Sequence, residues 1–179
     1  MLFIEDDKIQ DSYYSQFHDL SAVLAQYSSK EDSITRKPLD LIYNPDLFNF
    51  LKSSPGITAI IDFSAGGYTF MSDNVHEMWG YKAEEFLRLG MVKTITIFPV
   101  SQNDVIIHQI FPLMFDCFDR HIKAGDIYDI RVSYNTKVIK ADGTEGWYLH
   151  QMKVLHVGKE NKAQFGFKLV SDILSLIHI

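Results

Sequence analysis

The stretch YDIRVSYNTKVIKADGTEGWYLHQMKVLHV, residues 128–157, decides the architecture of this chain. Tyr128, Ile130, Val132 and Tyr134 alternate with Asp129, Arg131 and Ser133, the two-residue period of a strand with one buried face. Asp142-Gly143 supplies the positive backbone angles that a tight hairpin needs, so residues 146–157 form the next antiparallel strand. Residues 158–162 turn the chain again, into a third strand over 163–171.

Working toward the N-terminus, residues 101–123 read as a long helical stretch interrupted or kinked at Pro112, which has no N–H to donate. Before it, residues 82–89 form a helix that stops at Gly90, and Ser72-Asp73-Asn74 caps a short helix ending at Gly80. Residues 57–63 and 68–71 are two strands joined by Ser64-Ala65-Gly66-Gly67. Ahead of the strands, residues 45–51 form a short helix with Asn44 as its cap and Pro45 in its first turn. Residues 28–37 are a polar linker, and Ile9, Tyr13, Phe17, Leu20 and Leu24 recur at the spacing of one amphipathic helix.

Composition sets bounds on all of this. The chain has 179 residues, 46% hydrophobic and 22% charged, the balance of a globular protein able to bury a core. Cys117 is the single cysteine, which excludes an intrachain disulfide and a thiolate-rich zinc site. A formal net charge of −6 argues against nucleic-acid binding through bulk charge. No apolar stretch approaches the ~20 residues of a membrane span, and the acidic start MLFIEDDK is unlike a secretory signal. The expected location is therefore the cytoplasm.

Several local sequences resemble the PAS family. Phe70-Met71-Ser72-Asp73-Asn74, then Trp79-Gly80-Tyr81 and Ala83-Glu84-Glu85-Phe86, are similar to its strand-to-helix crossing and Gly-Tyr-x-x-Glu-Glu run. Lys140-Ala141-Asp142-Gly143 followed by Trp147 resembles its Lys-x-Asp-Gly hairpin with a tryptophan on the next strand. Ser171-Asp172-Ile173 is similar to its terminal Asp-Ile-Thr, with Leu174 standing where the family has threonine. The resemblance covers residues 57–173 and implies an α+β fold: a five-stranded antiparallel sheet with helices packed on one face, here preceded by an amphipathic N-terminal helix. It divides the chain into a helical extension and linker (1–56), a sensor domain (57–173) and a short tail (174–179). The leading helix and the break at Gly90-Met91 also resemble the sensor half of LuxR-type transcription regulators. An effector or DNA-binding domain of that kind is absent from this chain, which is expected to be either a truncated piece or a free-standing module.

Such a fold leaves a pocket between its long helix and its sheet. Counting ~100° per residue from Ile106 puts Ile107, Ile110, Phe111, Leu113, Met114, Cys117, Phe118 and His121 on the inward face of that helix, and His108 outside. His121 is then the one histidine placed to ligate a haem, against the plainer role of a helix-end histidine stabilised by the dipole. Cys117 is either a nucleophile toward a bound chromophore or a small apolar core residue. Flavin photosensors of the family carry a reactive cysteine before the long helix, and residues 82–100 contain none, so that photochemistry is not expected. Trp79, Met114, Tyr134, His150 and Phe167 either surround a small, mostly apolar ligand or simply fill a core.

The sequence carries no phosphate-cradling glycine loop and no paired-histidine metal motif, so neither an enzyme nor a metal site is expected. The leading expectation is a sensory domain that binds a small ligand or partner and regulates an effector in transcription, working as a homodimer. Its rivals are a ligand-free interaction module of the same fold and a small-molecule enzyme with an α+β cone fold.

Overall fold

The computed structural model describes residues 44–173. The stripe from Ile9 to Leu24, with its expected role of covering the sheet or pairing two subunits, and the tail after Ile173 lie outside the described residues. Asn44 is the helix cap expected: its side-chain oxygen accepts the Asp46 N–H at 3.0 Å, at the head of α1, Pro45–Lys52. Thr58 ties the end of α1 to the sheet by donating its hydroxyl to the Leu51 carbonyl at 2.9 Å.

β1 (Ile57–Asp62) and β2 (Gly67–Met71) form the first hairpin. Asp62 shapes its turn by accepting the N–H groups of Ser64 at 2.9 Å and Ala65 at 3.1 Å. Five short helical elements follow: α2 (Asn74–Trp79), α3 (Ala83–Leu89), α4 (Met91–Thr96), α5 (Val100–Val105) and, after a π turn at Ile106–Ile110, the longer α6 (Phe111–Ala124). The sequence pattern leaves α4 unassigned, because its β-branched residues have weak helix propensity; burial of Met91, Thr94 and Ile95 holds it helical. Ser72 and Asn74 do not cap α2 with their side chains. Ser72 Oγ instead accepts the Thr58 N–H at 3.0 Å and Asn74 donates its amide to the Gly56 carbonyl at 3.0 Å, so the expected cap binds α2 to the start of β1.

β3 (Val132–Ile139), β4 (Glu145–Val157) and β5 (Ala163–Asp172) complete a five-stranded antiparallel sheet of order β2-β1-β5-β4-β3. The strand expected from Tyr128 begins at Val132. Ile127–Asp129 is a turn of 3-10 helix, in which the Asp129 N–H is taken locally by Asp126 rather than by a neighbouring strand. The end of edge strand β3 is covered: the Ile139 N–H reaches the Ile97 carbonyl at 2.7 Å and the Lys137 N–H reaches Gln102 Oε1 at 3.0 Å, which blocks pairing with another chain at those residues.

The sheet is apolar on both faces. The main core lies between its inner face and α2–α6. On the outer face Ile60, Phe70 and Phe165 pack with Leu51 of α1, flanked by Phe48, Leu155 and Phe167. Helices therefore cover one face, as expected, and α1 covers part of the other.

The expected inward face of the long helix needs correction. The π turn adds a residue to the helical path, so the buried side passes from Ile106 and Ile107 to Phe111, Met114, Phe115 and Phe118, with Ile122 alongside. Leu113, counted as inward, is 67% exposed. Pro112 is the second residue after the π turn, where its missing N–H and the crowding of the His108 carbonyl disfavour regular α-helix. Among the described residues no helix is long and apolar enough to cross a membrane.

Candidate functional site

The two motif regions around Gly80 and Asp142 meet in space. The Ala141 N–H donates to the Trp79 carbonyl at 2.8 Å, and the Tyr81 hydroxyl donates to the Ile139 carbonyl at 3.0 Å. Gly80 has φ of 79°, and a Cβ there would come within 2.9 Å of the Ala141 Cβ, so glycine is required on both counts. This contact fixes α2 against the β3–β4 hairpin and turns Trp79 into the interior.

There Trp79 joins residues from the inner face of the sheet. His150 sits on β4, with Tyr134 opposite on β3 and Val170 opposite on β5. Its imidazole stacks on the Tyr134 ring at 5.2 Å and 8°, with Phe98 edge-on at 5.9 Å and Trp79 tilted at 6.3 Å. His150 Nε2 lies 2.9 Å from Thr136 Oγ1, while His150 Nδ1 and Trp79 Nε1 have no hydrogen-bond partner. His150 is 0% exposed and Trp79 2% exposed, so solvent does not satisfy them either. Burial, reinforced by the Lys168 charge, holds the imidazole well below its ordinary pKa, so His150 is neutral at pH 7.

Lys168 belongs to the same inner face. It lies opposite Met152 on β4 and Ala59 on β1, diagonal to His150, and is only 4% exposed. None of the ion pairs or side-chain hydrogen bonds among the described residues engages its Nζ. Burial pushes its pKa down to about 8. Tyr68 brings a hydroxyl from β2, bonded to Thr94 Oγ1 at 2.7 Å, and burial pushes that phenol up to about 12. The Tyr134 phenol is also pushed up, by burial first and by Tyr68 second, and its hydroxyl has the Met152 sulfur as a partner at 3.8 Å. The interior thus combines aromatic walls with an uncompensated ammonium and two polar ring nitrogens without partners.

Of the residues expected to form a site, the structure brings Trp79, Tyr134 and His150 together. Met114 is buried in the same core, on α6. Three lie elsewhere. Phe167 faces the opposite side of the sheet, paired with Ile60, because the pleat places it with Phe165 rather than with Lys168. Cys117 is only partly buried and His121 has moved to the rim, both displaced by the residue inserted at the π turn. His121 Nδ1 pairs with Asp126 at 2.9 Å in the last turn of α6, the helix-end role rather than that of an interior haem ligand. Sequence reasoning missed Lys168, Thr136 and Phe98. Thr136 was discoverable, since it shares the two-residue period of Val132 and Tyr134.

No protein-family model matches the chain, and no curated protein matches it in sequence. Solved structures do. The N-terminal domain of a diguanylate cyclase with PAS/PAC sensor from Marinobacter aquaeolei is similar over 69% of this chain and 99% of its own, at 10% identity and a TM-score of 0.52. An RNA-binding light-oxygen-voltage receptor is similar over 84% of this chain and 38% of its own, at 13% identity and a TM-score of 0.51. The PAS domain of a LuxR-family transcriptional regulator from Burkholderia thailandensis, in complex with ethanol, is similar over 71% of this chain and 96% of its own, at 10% identity and a TM-score of 0.47. The LuxR regulator is one among several similar structures, so the likeness singles out no one class of regulator. In its element order, its five-stranded antiparallel sheet and its helices, the chain has the fold of PAS sensor domains.

Proposed function

We propose that this chain is a sensory module that holds a small molecule between α2–α6 and the sheet, and that occupancy regulates an effector, in transcription control, through the segments that flank the domain. The observation that carries this reading is the pair of orphaned ring nitrogens, His150 Nδ1 and Trp79 Nε1, in an interior closed to solvent. A core selected only for stability hydrogen-bonds its buried polar groups or replaces them with apolar ones, because each orphan costs about 1–3 kcal/mol. A ligand that completes those bonds prefers one packing of helices on sheet, and shifts the population toward it. The module acts by binding rather than catalysis, as a homodimer within the cytoplasm, without direct contact to nucleic acid.

The test is the absorption spectrum of freshly purified protein, followed by mass spectrometry of what a denaturing extraction releases. A stoichiometric small molecule, lost from His150→Phe, supports the reading. The second reading is a ligand-free interaction module, favoured by the close stacking of Tyr134 on His150, which fills part of the interior. A clean spectrum, an empty extract and an unchanged dimer in His150→Phe select it.

A further inference from the structure

Three buried polar groups, Lys168 and His150 from the sheet and Trp79 from α2, lie between the helices and the inner face of the sheet, and they share a sign. Lys168 Nζ is a cation without a counter-ion among the described residues, at 4% exposure. The Trp79 indole is a donor only, and it is unpartnered. His150 becomes a donor at Nδ1 when the Thr136 hydroxyl donates to Nε2, a geometry their 2.9 Å separation allows. No carboxylate acts on Lys168, whose shift arises from burial alone. An uncompensated charge with so little access to solvent is costly unless something brought in from outside balances it.

We propose that the interior site takes a small monocarboxylate with an apolar body, its carboxylate set against Lys168 Nζ and hydrogen-bonded by the His150 imidazole and the Trp79 indole. This rests on the ligand-binding reading above and names the chemistry of the ligand. One lysine balances one negative charge, whereas a phosphate dianion would remain half uncompensated. Two further donors take two of the remaining lone pairs of a carboxylate. Phe98, Tyr134 and Met152 supply the apolar wall that an aromatic or short aliphatic body would cover.

The experiment uses the full chain and two matched pairs of probes, benzoate with benzamide and hexanoate with hexanamide, followed by titration calorimetry. At least one acid is expected to bind ~10-fold or more tightly than its amide, the worth of a buried charge-assisted bond. Lys168→Met, which keeps the length of the side chain and removes the charge, is expected to abolish that preference while leaving amide binding in place. A carboxylic acid in the denaturing extract of the wild type gives the same support without any variant. Amides that bind as well as acids, a preference that survives Lys168→Met, or a neutral or cationic molecule in the extract overturns the carboxylate and leaves ligand binding standing. No binding by any of the four probes, together with an empty extract, overturns both.

Discussion

β5 turns its aromatic residues outward and its lysine inward. Phe165 and Phe167 pack on the face that α1 partly covers, while Gly166, Lys168 and Val170 face the helices and the main core. The usual sorting of an antiparallel strand sends apolar residues to the core and charge to solvent. Here the outer face is a small apolar contact held by packing and by the Thr58 hydroxyl on the Leu51 carbonyl, and the inner face mixes packing with polar groups the fold leaves unsatisfied. The difference separates two uses of burial: one side of the strand packs apolar groups together, and the other carries the buried polar groups on which the proposed binding rests.

Truncation on the outer side gives the largest expected effect. Phe165 is buried against Ile60, Phe70 and Leu51, so Phe165→Ala removes a full aromatic side chain from the contact between α1 and the sheet. The expected loss is about 3–5 kcal/mol in chemical denaturation, with the interior ligand behaviour unaltered. A loss under about 1 kcal/mol, typical of sites away from packed contacts, would mean that α1 and the outer face contribute little and that the two sides of β5 are less different than drawn.

On the inner side the expected sign reverses. Lys168 has a folded pKa of about 8 against an ordinary 10.5, so between those values the unfolded chain holds more protons than the folded one. Stability therefore rises with pH across that window; below about 8 the penalty is complete, about 3 kcal/mol from the shift. Lys168→Met should be the more stable protein at pH 7 and should lose the gain from pH 8 upward. The groups sharing that interior leave the window readable. His150 is neutral there, and it adds its own fall in stability only as pH drops through 6.5, where the unfolded histidine takes a proton that the buried one refuses. Tyr68 and Tyr134, whose phenols are raised, begin to cost stability only above pH 10. Denaturation midpoints at pH 7, 8, 9 and 10 for both proteins decide the matter. Parallel curves would show that Lys168 is solvated in solution.

The same division governs what the sequence disclosed. The Gly80 and Asp142 motifs were legible because they encode local backbone requirements, a left-handed residue and a tight hairpin, and the structure joins them through the Trp79 carbonyl. Tyr134 followed from the two-residue period of its strand and Trp79 from the motif that ends at Gly80. The long helix failed at its inward face, because one residue inserted by a π turn shifts every later position and hydrophobic spacing does not announce the insertion. Lys168 failed for a different reason. In Phe165-Gly166-Phe167-Lys168-Leu169 the period of two marks Phe165, Phe167 and Leu169 as one apolar face, and nothing in the pattern says that the face with the lysine is the one under the helices. α4 was hidden because tertiary burial, rather than propensity, makes it helical.

The smallest expected effect concerns the cap of the helix that makes the outer face possible. Asn44 accepts the Asp46 N–H at an exposed helix start, and Asn44→Ala leaves that donor to water at a cost of about 1 kcal/mol. α1 also holds the sheet through Phe48, which meets the Phe70 ring edge-on at 5.6 Å, and through the Thr58 hydroxyl on the Leu51 carbonyl. The loss from Asn44→Ala should therefore be a fraction of that from Phe165→Ala, and the two should be nearly additive in the double variant, since the cap and Phe165 touch different ends of the helix contact. A double variant no worse than Phe165→Ala alone would show that α1 had already left the sheet when its aromatic support was removed. The outer face would then depend on that one side chain, sharpening the contrast with an inner face whose packing survives the loss of its lysine.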